Sequence, residues 1–321
     1  MSKTRPKYGF MLYCEGFGPC DLVDQAVAAE KAGFDFLVVS DRFHFWSPKQ
    51  QHTTFAWSVI GAIAEATSTI ELVTMVSCIA ERSRPEIIAQ AAATTGALSK
   101  GRFTLGFGLS TGRSEDTPDE ELSSAATRRE CMYEAALIMR KLWAGECVSF
   151  EGKHFQLTNI KLFDLPQEEL NFYLSVGCPE GAVLAAEIAD GMCGTEPDPE
   201  IFDAYLRNGG NTGGMWAQVV SAYVPKGAQD LGGAHAAFRF ATSDWASRPK
   251  TLVDPMKLFT GDASPGSLGR VLTVGPDPQA HADSIQEFIR LGVTRLAVAY
   301  PGRDLDAYLQ FWQKELRPLL P

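Results

Sequence analysis

The stretch that decides the fold is Leu37-Val38-Val39-Ser40-Asp41-Arg42-Phe43-His44-Phe45-Trp46. An apolar run breaks off into charged and aromatic residues, and a loop follows through Ser47 and Pro48. An apolar run without alternation is the pattern of a strand buried on both faces. Polar and aromatic side chains gathered where such a strand ends mark the face at which parallel α/β barrels place their chemistry.

Outward from this stretch the same punctuation repeats. Upstream, Tyr8–Tyr13 reads as a first strand and Cys14–Pro19 as its loop. Asp21–Ala32 then reads as a helix, with Leu22, Ala26 and Ala29 on one face and Gly33 past its end. Downstream come a helix over 54–66, a strand over 70–76 and a helix from Pro85 to Leu98, opened by the proline a first turn tolerates. Gly101–Gly108 is a fourth strand, followed by the polar segment Ser110–Ser124 and an amphipathic helix over 126–143. Alternation over Cys147–Leu157, centred on Glu151-Gly152-Lys153, predicts a β-hairpin. Further strands are expected at 172–176, 191–194, 215–224 and 295–300, with helices at 179–189, 199–207, 277–290 and 305–316. Gly227–Ser264, broken by Gly232-Gly233, Pro249 and Pro255, is the least regular region. Eight strand–helix alternations predict an α/β fold, a (β/α)8 TIM barrel with insertion segments, as one domain over residues 1–321. The rival, a doubly wound sheet, needs a phosphate fingerprint at its first turn, and Cys14–Pro19 has none.

Composition narrows the function. A net charge of −10 and a pI near 5.1 argue against nucleic acid or an anionic membrane as partner. Seven scattered cysteines without a CxxC pair suit a reducing cytosol, and no apolar run reaches membrane-spanning length. A soluble cytoplasmic chain is the expectation. The five histidines, at 44, 52, 154, 235 and 281, form no HxH pair, so no metal site is assigned.

Two glycine-rich strand ends remain. Gly106-Phe107-Gly108-Leu109-Ser110-Thr111-Gly112 fails GxGxxG because Thr111 takes the third glycine's place. Its small residues either let a flat ring lie against the barrel mouth or let the strand end against a neighbour. Ser175-Val176-Gly177-Cys178-Pro179-Glu180-Gly181 joins a strand end to a helix start, where exposed N–H groups favour a phosphate, or is a plain βα turn.

Several motifs carry a resemblance. His52-x-x-Phe55-Ala56-Trp57-Ser58, Gly61-Ala62-Ile63-Ala64, Pro85-x-Ile-Ile-Ala89-Gln90-Ala91-Ala92-Ala93-Thr94, Leu98-Ser99-x-Gly101-Arg102-Phe103-Thr104-Leu105-Gly106-x-Gly108 and Asp190-Gly191 are similar to the bacterial luciferase-like superfamily. The chain most resembles its coenzyme F420-dependent branch, which includes glucose-6-phosphate dehydrogenases. The resemblance implies a TIM barrel, usually dimeric, with a deazaflavin at the C-terminal mouth. It also implies a non-proline cis peptide after the third strand, in a bulge at Met75-Val76-Ser77-Cys78 that supports the cofactor ring. Asp41, Cys78, Gly106–Ser110 and Ser175–Cys178 match cofactor-pocket positions, and Glu15, Trp46 and His52 match other pocket positions. Three departures stand out: Arg42 replaces the sugar-phosphate dehydrogenases' catalytic histidine, Thr111 their glutamate, and Asp198 their phosphate-binding lysine.

What the resemblance implies is therefore hydride transfer with F420, as a reductase of an enone, imine or similar electrophile and not of glucose 6-phosphate. Catalytic candidates are His44, Arg42 and Glu15; the proton donor is sought among His44, Glu15, His52 and Tyr13, with His44 first. Arginine cannot exchange protons near pH 7, so Arg42 would steady an oxyanion or a cofactor carboxylate. Trp46, His52 and Thr111 are substrate-binding candidates, and Glu115–Glu121 with Gly227–Ser264 are candidate walls. FMN is the alternative cofactor, and a cofactor-binding paralogue without turnover is the alternative of another class.

Overall fold

The computed structural model of the chain describes residues 5–41, 51–79, 83–108, 124–194, 196–226 and 272–321. Its strands are β1 (Lys7–Leu12), β2 (Phe36–Val39), β3 (Glu71–Thr74), β4 (Ser77–Cys78), β5 (Phe103–Gly108), β6 (Val148–Glu151), β7 (Gln156–Ile160), β8 (Phe172–Val176), β9 (Gly191–Gly194), β10 (Met215–Tyr223), β11 (Leu272–Gly275) and β12 (Arg295–Ala299). The described helices, in chain order, are α1 (Pro19–Lys31), α2 (Ala56–Ala66), α3 (Pro85–Leu98), α4 (Ala125–Trp143), α5 (Pro179–Ile188), α6 (Pro199–Arg207), α7 (Pro278–Arg290) and α8 (Leu305–Phe311).

Strands β1, β2, β3, β5, β8, β9, β10 and β12 pair in that order, all parallel, and β12 returns to β1 to close the (β/α)8 barrel. Val39 lies opposite Leu12 and Thr74, so the residues after β1, β2 and β3 emerge together at one end. β6 and β7 form the expected antiparallel hairpin, and β11 extends the upper half of β10. Among the described residues no helix is long and apolar enough to cross a membrane.

Two apolar layers hold the barrel. One lies between strands and helices; the other fills the interior with Met11, Phe36, Val38, Val73, Trp216 and Ala297. At the N-terminal end of the barrel, Arg295 ion-pairs with Glu71 and lies 4.7 Å over the Trp216 ring, and Lys7 also pairs with Glu71. Burial favours the neutral form of the Glu71 carboxyl, but Arg295 and Lys7 outweigh it and hold the group below its usual range. Gly9 is required here, since a Cβ would come within 2.2 Å of the Phe36 ring.

Several residues of the matched motifs have structural duties. The Arg102 guanidinium donates to the carbonyls of Ala64, Thr67, Ile70 and Ser99 and to the Thr67 hydroxyl, closing the C-terminal end of α2. Asp190 accepts from Arg140 at 2.7 Å and from the Phe172 N–H at 2.8 Å, which locks α4 to β8.

The differences from the sequence expectations are local. α2 begins at Ala56 and not at Thr54, because the Thr54 N–H and hydroxyl donate to the carbonyls of Cys14 and Phe17 in the loop after β1. The third strand divides into β3 and β4 around a cis Met75–Val76 peptide. The last helix passes into a π-helical turn over Trp312–Leu316. That wider turn accompanies the burial of the consecutive residues Phe311 and Trp312, which a regular helix would not place on one face.

Candidate active site at the barrel mouth

The site is built where β1, β2, β3, β5 and β8 end. Glu15 and Asp41, both carboxylates, are 7% and 6% exposed. Charged groups are rarely buried so fully without donors that satisfy them. The Ser40 hydroxyl donates to Glu15 Oε2 at 2.6 Å. Asp41 Oδ2 accepts from the Ser77 hydroxyl at 2.7 Å and from the Trp57 indole N–H at 3.1 Å. The bulge after β3 is thus pinned to the end of β2, and α2 is pinned to the same carboxylate. Tyr13 stands beside Glu15; burial first, then the Glu15 charge, pushes its phenol above the usual range and keeps its proton on.

The floor of the mouth consists of small residues. Gly106 exchanges two 3.0 Å hydrogen bonds with the Thr74 hydroxyl, and a Cβ there would lie 2.0 Å from the Thr74 carbonyl oxygen. Ser77 and Cys78 lie opposite Phe107 and Gly108. A Cβ on Gly108 would sit 3.5 Å from Ser175 Cβ and 3.7 Å from Val76 Cγ2, so three strand ends converge on a residue without bulk. Beneath it the Cys193 thiol lies 3.9 Å from the Met75 sulfur, and burial pushes that thiol up to about 12.

Next to this floor, Ser175–Cys178 leads into α5. The N-cap, Cys178, makes no side-chain capping bond, Pro179 follows, and Gly177 opens onto space with no atom within 4 Å of a Cβ. The α5 N-terminus can therefore receive an anion. Glu180 borders it, and its own backbone N–H, followed by the Cys178 thiol, holds its carboxyl below the usual range.

Of the residues singled out in the sequence, Glu15, Asp41, Met75, Val76, Ser77, Cys78, Gly106, Gly108, Ser175, Val176, Gly177 and Cys178 converge on this mouth. His52 lines a cleft of about 570 Å³ between α1 and α2, with its ring against Gly18. Asp198 caps α6, accepting from the Glu200 N–H at 2.9 Å. Arg42, His44, Trp46, Ser110, Thr111 and both candidate walls lie outside the described residues. Ser40, Trp57 and Thr74 were not singled out for any role; a hydroxyl or indole adjoining a strand-end acid was the available signal.

A parallel barrel with buried carboxylates, a glycine floor and an open helix N-terminus at its C-terminal mouth defines a cofactor-binding TIM-barrel protein. Comparison with known proteins agrees. The profile of the family described as Luciferase-like monooxygenase matches residues 6–208. The chain is 30% identical to the F420-dependent glucose-6-phosphate dehydrogenase of Segniliparus rotundus, over 98% of each chain. Among solved structures, it is similar to an F420-dependent secondary alcohol dehydrogenase in complex with an F420-acetone adduct (TM-score 0.86, 24% identity, 99% of each chain). It is also similar to the coenzyme F420-dependent tetrahydromethanopterin reductase from Methanopyrus kandleri (TM-score 0.73, 17% identity, 99% of this chain and 100% of that one). The chain belongs to the luciferase-like monooxygenase family.

Proposed function

We propose that this chain is an F420-dependent oxidoreductase. It moves a hydride between the deazaflavin and a small organic substrate, as a reductase of an enone, imine or similar electrophile. The observation that carries the reading is the meeting of Gly108, Val76 and Ser175, a floor without bulk beside the open first turn of α5. Relatives named as F420-dependent, similar from end to end, support it. The residues present fit such a group: Asp41, Met75–Cys78 and Gly106–Gly108 would flank the ring, with Ser110 completing that segment, and Ser175–Cys178 would take its phosphate. When bound, the deazaflavin supplies the hydride chemistry.

The chain's own contribution is orientation and a proton. Glu15, buried and held by Ser40, is the proton donor we assign among the described residues, and Tyr13 stands beside it as a protonated hydroxyl. His44 and Arg42 follow Asp41 in sequence; on this reading His44 shares the proton duty and Arg42 steadies developing negative charge. Glucose 6-phosphate is not the substrate we propose. The residue at the phosphate-binding lysine's place, Asp198, is an acid committed to capping α6. The resemblance also implies a cytoplasmic homodimer, which light scattering on the purified protein tests.

FMN is a second reading, favoured by the monooxygenase description of the matching family. Reduced F420 offered with a panel of enones and imines tests the main reading. Oxidation of F420 with stoichiometric product supports it. Tight FMN binding without F420 binding or turnover overturns it.

A further inference from the structure

Resting on the assignment of Glu15 as proton donor, we propose that Ser40 is the positioning residue that sets which oxygen of that carboxyl group serves the reaction. Ser40 is 5% exposed and ends the same apolar run that builds β2. Its backbone N–H donates to the Leu12 carbonyl at 3.1 Å, fixing it against the end of β1. Its hydroxyl oxygen accepts the Cys14 N–H at 2.9 Å and lies 2.6 Å from Glu15 Oε2. A serine hydroxyl has one proton, and the Cys14 N–H cannot receive it. That proton therefore points at Oε2.

The consequence concerns the carboxyl group itself. With Oε2 committed as an acceptor, a proton on Glu15 resides on Oε1. Among the described residues Ser40 is the sole hydrogen-bond partner of Glu15, so this one bond fixes both the rotamer and the reactive oxygen. The transfer is simple: Oε1–H breaks as the proton passes to the atom made basic by hydride addition, and Glu15 is left as a carboxylate. Ser40 stabilises that anion through the same bond without exchanging a proton. The device recurs one strand further on, where the Ser77 hydroxyl donates to Asp41 Oδ2. Ser40 and Asp41 are consecutive, so the end of β2 supports a neighbour's carboxylate and presents its own.

The test uses the full-length chain loaded with F420. The Glu15 carboxyl vibration is assigned by its loss in Glu15→Gln and compared in wild type, Ser40→Ala and Ser40→Thr. Turnover is followed as oxidation of reduced F420 by 2-cyclohexen-1-one. The expected result is a displaced Glu15 band in Ser40→Ala that Ser40→Thr restores. The kcat of Ser40→Ala should fall roughly ten- to a hundredfold, with KM and the F420 Kd within about twofold of wild type. If Ser40→Ala fails to fold, Ser40→Cys keeps the volume with a weaker donor and should lie between. An unmoved band, or an unchanged kcat alongside a dead Glu15→Gln, overturns the proposal. Wild-type turnover in Glu15→Gln instead defeats the proton-donor assignment, and the band still decides whether Ser40 holds the group.

Discussion

Replacing Thr74 by valine should loosen the barrel at the point where β3 leaves β5. Thr74 is fully buried, and its hydroxyl accepts the Gly106 N–H and donates to the Gly106 carbonyl, both at 3.0 Å. Regular pairing of β3 with β5 is registered at Leu72–Phe103 and Val73–Thr104, so the Thr74 side chain carries the ladder one step further before the bulge. Valine has nearly the same shape but cannot make either bond, which leaves two buried backbone groups unsatisfied. At ~1–3 kcal/mol for each group, allowing for partial relaxation, the loss is about 2–5 kcal/mol. With an unfolding entropy of about 2.1 cal/mol/K per residue, that is a fall in Tm of roughly 3–7 °C for a chain of 321 residues. Calorimetry on wild type, Thr74→Val and Thr74→Ser measures it, and the serine variant should stay within about 1 kcal/mol of wild type. A valine variant melting within about 1 °C of wild type would refute the reasoning, as would a serine variant as unstable as the valine one.

Three further outcomes follow from the same physical terms. Glu180→Gln should tighten F420 binding by roughly two- to fivefold, since it removes a like charge from the α5 N-terminus. Gly177→Asp should weaken binding while leaving Tm unchanged, because the Cβ has open space there; fluorescence titration reads both. His281 is 1% exposed, its Nδ1 accepting from Ser221 at 2.8 Å and its Nε2–H donating to the Gly275 carbonyl at 3.0 Å. Burial lowers its pKa, against the opposing pull of the Gly275 carbonyl and Asp277. The unfolded chain gains a proton near pH ~6.5 that the native chain takes up only at lower pH. This contribution to stability is complete above pH ~6.5 and is lost as pH falls from there toward the lowered native value. Thermal melts between pH 7.5 and 5 should show that loss, and His281→Gln should flatten it.

The fold was legible because its signals are local. Apolar runs at Phe36–Val39 and Phe172–Val176, prolines at helix starts and the turn at Glu151-Gly152-Lys153 each decide an element within a few residues. The bulge at Met75–Val76 was legible only through family likeness, as nothing in Leu-Val-Thr-Met-Val-Ser distinguishes it from a continuing strand. What stayed hidden are the pairings over long sequence distances. Ser77 and Asp41 lie 36 positions apart, Thr74 and Gly106 32, and Ser221 and His281 60. No periodicity encodes such contacts; closure of the barrel creates them. The departure at Asp198 was visible as a lost cation, but its cap on α6 needed the geometry of the turn.

The function of the barrel mouth rests on what it binds. Parallel titrations of the purified chain with F420 and with FMN, each followed by quenching of the cofactor's own fluorescence, test this most directly. Saturable F420 binding in the micromolar range or tighter is the expected result. That affinity should weaken in Gly177→Asp, and FMN should bind at least about tenfold less tightly than F420. Saturable FMN binding with no response to F420 would contradict it.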